Sequence, residues 1–185
     1  MCGKYYYSQD TYHFIDTHVD VNFSKNLNCD YRPVQNIPII LIQNNQRICK
    51  MMPWGYSIYN KKVINTRSET VKEMKLFHND IIYRRCLILA QGFYEKDENK
   101  HTFAFESKSQ KTLLLAGIYN INNEVSIMTT QANEVMKPIH HRMPLMITET
   151  QMDRWLRDNQ KIDYFLKLEN NDLKIVSGVY QLKLF

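Results

Sequence analysis

No run of apolar residues in this 185-residue chain approaches the roughly 20 that a membrane-spanning helix requires. The start, Met1-Cys2-Gly3-Lys4-Tyr5, also lacks the basic-then-apolar layout of a secretory signal, so the expected setting is intracellular and reducing, away from any membrane. Cysteine is sparse and scattered at Cys2, Cys29, Cys49 and Cys86, with no C-x-x-C pair and no Cys/His group at zinc spacing. Neither disulfides nor a metal is expected, and no cofactor. Repeats, low-complexity tails and Pro/Gly/Ser-rich linkers are absent too, and the length suits one domain over residues 1–185. What is present is 44% hydrophobic and 12% aromatic residues, enough to exclude disorder. A net charge of +5 is compatible with a polyanionic partner but is too mild to identify one.

Glycine is scarce as well, five in the whole chain, so each marks a candidate turn or close approach. Gly3, Gly55, Gly92 and Gly117 fall inside recognisable clusters; Gly178 stands apart. Residues 38–42 and 48–52 read as a strand pair joined by the polar turn 43–46, and 86–90, 102–106, 112–116, 125–129 and 173–179 read as further strands. Ser68 is placed to cap a helix through Val71, Met74 and Lys75; Met152, Trp155 and Leu156 recur at the spacing of a second helix. Many strands and few helices predict an α+β fold, a curled or barrel-like mixed sheet with helices at its rim.

Four stretches carry chemistry. If Met1 is removed, Cys2 presents an α-amine and a thiol on adjacent carbons, a 1,2-aminothiol whose amine condenses with an aldehyde and whose sulfur then closes a thiazolidine ring. The alternative is an accident of the start site. Asn65-Thr66-Arg67-Ser68-Glu69-Thr70 sets an amide and a guanidinium before a helix start, where Arg67 either clamps a phosphate or is a solvated residue of a cap. In Arg85-Cys86-Leu87-Ile88-Leu89-Ala90-Gln91-Gly92-Phe93-Tyr94-Glu95, an apolar strand ends at a carboxylate among aromatics, suited to general acid or base work unless Glu95 is a surface charge. Ile139-His140-His141-Arg142-Met143-Pro144 offers a proton shuttle and a second arginine; adjacent histidines cannot share a strand face, so one at most points into a site.

Taken together, and with Pro33-Val34-Gln35, Pro38, Trp54-Gly55, Ala116-Gly117, Thr129-Thr130 and Ala132-Asn133 in the same order, these stretches resemble the SRAP family, the SOS response-associated peptidase proteins that include sensors of abasic sites in single-stranded DNA. Departures are Lys96 where the family usually has Trp, Leu89 for a common Pro and Thr66 for a common Ala, and residues 179–185 give little to align. The resemblance implies that the Cys2 amine forms a Schiff base with the ring-opened sugar aldehyde and the Cys2 sulfur then gives a thiazolidine crosslink. Glu95 would deprotonate or orient the amine, His140 would assist ring opening, and Asn65 would hydrogen-bond the sugar. Arg67 and Arg142 would clamp phosphates while Trp54 stacks on a base beside the lesion. The implied partners are single-stranded DNA with abasic sites and a methionine aminopeptidase to remove Met1; the protein would act as a DNA-associated monomer. Two other readings stay open: a Cys2-dependent autopeptidase, and a module that binds single-stranded DNA without bonding to it; lyase activity would accompany the crosslinking reading.

Overall fold

The computed structural model describes residues 3–20 and 30–178, so the calls on Cys2 and Cys29 and on the chain beyond Gly178 lie outside the described residues. In chain order the elements are β1 (Tyr5–Tyr6), α1 (Gln9–His18), β2 (Asp30–Tyr31), β3 (Asn36–Gln43), β4 (Gln46–Pro53), β5 (Tyr56–Ile58), β6 (Lys61–Val63), β7 (Asn65–Arg67), α2 (Lys75–Tyr83), β8 (Arg85–Ala90), β9 (Gly92–Lys96) and β10 (Thr102–Ser107). There follow β11 (Leu113–Tyr119), β12 (Val125–Gln131), β13 (Arg142–Pro144), β14 (Met146–Ile147), α3 (Met152–Arg157), α4 (Ile162–Leu166) and β15 (Leu173–Gly178). None of the described helices is long and apolar enough to cross a membrane.

The apolar run Ile37–Leu41 is buried as the heart of β3, and it pairs along its whole length with β4. Asn44 and Asn45 between them sit at φ 50° and 64°, the two left-handed residues that a tight hairpin turn demands and that asparagine tolerates. Strands β3, β8 and β11 form the centre of an eight-stranded sheet ordered β13-β12-β11-β8-β3-β4, with β14 beside β11 and β7 beside β12. A second sheet is ordered β15-β10-β9-β1-β2, and β5 and β6 make a separate hairpin. Among the described residues every ladder is antiparallel except β7 on β12.

The α+β class stands, but the curled or barrel-like sheet does not: among the described residues both sheets are open paths with two ends. The reason lies at Gln91. The apolar stretch that runs from Arg85 to Glu95 in sequence is cut there, β8 remaining in the large sheet while β9 joins the other. Gly92 makes the switch possible, because a Cβ at that position would lie 2.4 Å from both the Tyr6 hydroxyl and the Phe105 carbonyl oxygen.

Two helices differ from expectation. Ser68 does not cap α2, which starts only at Lys75, because the Ser68 amide donates to the Thr129 carbonyl (2.9 Å) and residues 68–74 are held as turns. α1 was not anticipated; it buries only Thr11, Phe14 and Ile15, a short stripe at helical spacing that its polar neighbours hide. At the other end of α2, the buried Arg85 donates to the Ile81 and Ile82 carbonyls (both 2.8 Å) and to Trp155 (2.5 Å), satisfying orphan carbonyls of α2 and of α3.

Glu124, buried at the β11–β12 turn, accepts from the Ser57 amide (2.8 Å), the Ser57 hydroxyl, Asn120 (2.8 Å) and Lys62 (3.2 Å), and so pins the β5–β6 hairpin. Burial by itself raises its pKa, but these donors outweigh it and hold the carboxyl at about 2. A folded pKa below the unfolded one stabilises above the unfolded value and fades as pH falls toward the folded one. Glu124→Gln is therefore expected to lose on the order of 2 kcal/mol at neutral pH and to flatten the fall in stability between roughly pH 4 and pH 2, read by urea unfolding across that range.

Candidate active site

The strand that begins the described chain runs against β9. Tyr5 faces Phe93 and Tyr6 faces Gly92, and the Tyr94 amide donates to the Lys4 carbonyl (2.9 Å), which keeps the two segments together up to the residues next in line, Gly3 and Glu95. Side chains alternate along β9, so Phe93 and Glu95 turn inward while Lys96 is exposed. The Glu95 side chain is buried, with one oxygen accepting from the Lys96 amide (3.1 Å).

His140 stands in the turn that precedes β13, half-buried, rather than on a strand. Its ring stacks on that of exposed His141, centroids 4.4 Å apart, so the strand-face argument about the histidine pair does not apply. Nδ1 lies 3.0 Å from the Arg142 amide nitrogen and 3.2 Å from the Arg142 carbonyl oxygen. The amide donates to the neutral ring, which fixes the proton of that form on Nε2; the carbonyl accepts when Nδ1 is protonated. Nδ1 is thus held by one backbone residue whether or not it carries a proton. Burial lowers the His140 pKa below its ordinary value, while the nearby Glu95 carboxylate pulls it up. The two groups therefore act on one another. A cleft of about 370 Å³ opens beside His140, lined by Lys96, Asp97, Glu98, Lys137, His140 and His141 among others.

Asn65 begins β7, half-buried, with its side-chain oxygen enclosed. Strand β7 is fixed at its start by the Ile64 carbonyl, which accepts from the Trp54 indole (2.9 Å) and the Ile127 amide (3.0 Å). Trp54 also packs against Tyr5 of β1, centroids 5.4 Å apart, and so links the Asn65 segment to the segment that leads to Gly3.

Two expected contacts with DNA are corrected by this geometry. Trp54 is 0% exposed and its N–H is used on Ile64, so it has no face for a base; it is a buttress of the core. Arg142 is 3% exposed, and its guanidinium forms a bidentate pair with Glu69 (2.7 and 2.9 Å) while also donating to the Thr129 carbonyl (2.7 Å). It offers no open edge to a phosphate. Burial raises the Glu69 pKa, but the Arg142 hydrogen bonds and charge outweigh it and leave the carboxyl below its usual range. Arg67, in contrast, is exposed, and no described residue pairs with its guanidinium.

Sequence reasoning gave Glu69 only a place toward a helix start and gave Asn133 no role, although both lie in the stretches it singled out. Their work depends on partners that only folding supplies. Of the described cysteines, Cys86 is buried with its thiol pKa pushed well up, and burial pushes Cys49 up to about 12, so neither is an activated nucleophile. Among the described residues no group of His, Cys, Asp and Glu is arranged to hold a metal ion.

Comparison with known proteins gives consistent results. The family model described as SOS response associated peptidase (SRAP) matches residues 1–180. The chain is 32% identical over 161 residues to the abasic site processing protein YoqW of Bacillus subtilis, covering 74% of this chain and 70% of that one. It is 30% identical over 200 aligned positions to YoaM of the same organism, also named an abasic site processing protein, covering 91% of this chain and 85% of the relative. Among solved structures, a phage-related protein from Bordetella bronchiseptica superposes with a TM-score of 0.80 at 18% identity, over 97% of this chain and 95% of its own. A second Bordetella bronchiseptica protein gives 0.79 at 19%, over 97% and 100%. These likenesses show the fold.

Proposed function

The chain belongs to the SOS response associated peptidase (SRAP) family, and from that premise we propose that it processes abasic sites in single-stranded DNA by covalent capture on Cys2 after Met1 is removed. The observation that supports this most is the β1–β9 register, which continues through the Tyr94–Lys4 hydrogen bond to the residues on either side of it, Gly3 and Glu95, with His140 under the influence of the same carboxylate. Cys2 is joined to Gly3 by one peptide bond, a reach of about 3.8 Å between Cα atoms. An N-terminal aminothiol needs that company: a base for its amine and a proton shuttle for the sugar.

The steps balance. The Cys2 amine adds to the C1′ aldehyde of the ring-opened sugar, and the carbinolamine loses water to give a Schiff base. Addition of the Cys2 sulfur to that carbon closes the thiazolidine, the thiol proton going to nitrogen. Glu95 takes the ammonium proton at the start. His140, protonated, gives its Nε2 proton to the departing oxygen while Nδ1–H rests on the Arg142 carbonyl, and the Arg142 amide meets Nδ1 when that proton is lost. Asn65 hydrogen-bonds the sugar, and Arg67, whose guanidinium no described residue engages, takes a flanking phosphate.

The test compares the wild type with Cys2→Ser on an oligonucleotide carrying one abasic site. The wild type is expected to give an adduct that survives denaturing electrophoresis without reductant. Cys2→Ser keeps the amine but loses the sulfur, so its adduct should persist only after borohydride trapping. Equal, stable adducts from both proteins would refute the thiazolidine. Peptide-bond cleavage before Cys2 in the absence of DNA would favour the autopeptidase instead.

A further inference from the structure

We propose that Asn133 is a positioning residue for His140, acting as the cap of the single turn that carries the imidazole. The inference rests on the reading of His140 as a participant in the chemistry. The segment 132–141 leaves β12 after Gln131 and returns at Arg142, which faces Gln131 in the ladder; the Ala132 amide donates to the His141 carbonyl (3.1 Å) and closes its neck. Between these ends the path to His140 passes through one residue. The Asn133 side-chain oxygen accepts from the Val135 and Met136 amides (3.1 and 3.0 Å), and its carbonyl accepts from Met136 and Lys137 (3.1 and 2.9 Å). Met136, held by both, offers its own carbonyl to the Ile139 and His140 amides (each 2.9 Å).

The remaining groups of Asn133 fix the turn to the rest of the molecule. Its Nδ2 donates to the Asn170 carbonyl (2.9 Å), and its amide donates to the Met143 sulfur (3.4 Å). Met136, Ile139 and Met143 are buried, so the turn is seated on the core from below while Asn133 holds it from the side. This is the pattern of a side-chain cap that satisfies amides left open at the start of a helical turn, for which Asn, Asp and Ser are preferred and Ala is poor. What the cap sets is the distance of the His140 ring from Arg142 and Glu95. A displacement of about 1 Å in such a group lowers rates by up to about 100-fold.

The test uses Asn133→Ala and Asn133→Asp in the full chain. Asn133→Ala is expected to slow adduct formation on the order of 10- to 100-fold with affinity for undamaged single-stranded DNA unchanged, and Asn133→Asp, which keeps the accepting oxygen, to recover most of the rate. A second readout needs no DNA. Imidazole ¹⁵N shifts should show one Nε2–H tautomer for neutral His140 in the wild type and in Asn133→Asp, and a mixture in Asn133→Ala. Wild-type crosslinking by Asn133→Ala, or a single His140 tautomer in it, would overturn the proposal. If instead the wild type forms no adduct at all, the reading of the site fails, while the tautomer comparison still decides whether Asn133 positions the ring.

Discussion

Glu95→Gln is expected to slow adduct formation by about 100-fold or more while leaving affinity for single-stranded DNA within about twofold. General acid–base assistance is worth roughly 10²–10⁴-fold, and Gln is isosteric with Glu but cannot take the amine's proton. The retained amide oxygen can still accept from the Lys96 amide, so β9 and its register with β1 should persist. A second consequence follows from the charge. The Glu95 carboxylate pulls the His140 pKa up against burial, so its removal should lower that pKa further. The limb of the pH–rate profile that reports His140 should then move to lower pH in Glu95→Gln. Single-turnover crosslinking across pH 5 to 8 reads both effects, and a rate within threefold of wild type would remove Glu95 from the mechanism.

The other large effect is on stability. Glu69→Ala leaves the buried Arg142 guanidinium without its counter-charge, and removing one partner of a buried pair typically costs about 3–5 kcal/mol. Water reaches Glu69, whose side chain is 38% exposed, so the lower end, about 3 kcal/mol, is expected. For a chain of this size that corresponds to a fall in Tm of roughly 6–12 °C. Arg142→Lys should not rescue the fold, because an ammonium cannot reproduce the bidentate pair and still reach the Thr129 carbonyl. Thermal unfolding of both variants checks this. A Glu69→Ala protein as stable as wild type would show that Arg142 is not a brace and return it to consideration as a phosphate ligand.

The two corrected contacts show where the sequence stops being legible. Glu95 and His140 stand out in the sequence as candidates because a carboxylate at the end of an apolar strand and a histidine beside an arginine are unusual company, and the fold lets the charge of one act on the other. Trp54 reads wrongly as a base-stacking residue, since an indole looks the same in sequence whether it lies against a base or against Tyr5 and Ile64. Arg142 was misread for a related reason: its partner Glu69 is 73 residues away, and only the parallel pairing of β7 with β12 brings them together. At the level of the fold, the β3–β4 hairpin was visible because the polar turn 43–46 separates two apolar runs, and the fold narrows that turn to Asn44 and Asn45. The division into two sheets was not, because a single polar residue, Gln91, interrupts a stretch that looks like one strand. Nothing in that local pattern says that the chain changes sheets there; the close approach of Tyr6 over Gly92 does.

The most direct test of the central claim is the intact mass of the protein before and after incubation with single-stranded DNA bearing one abasic site, without reductant. The account predicts a mature chain that begins at Cys2 and an adduct equal to that chain plus the oligonucleotide less one water, absent from Cys2→Ala. A Met1-free protein that forms no adduct, or an equal and stable adduct from Cys2→Ala, would contradict it.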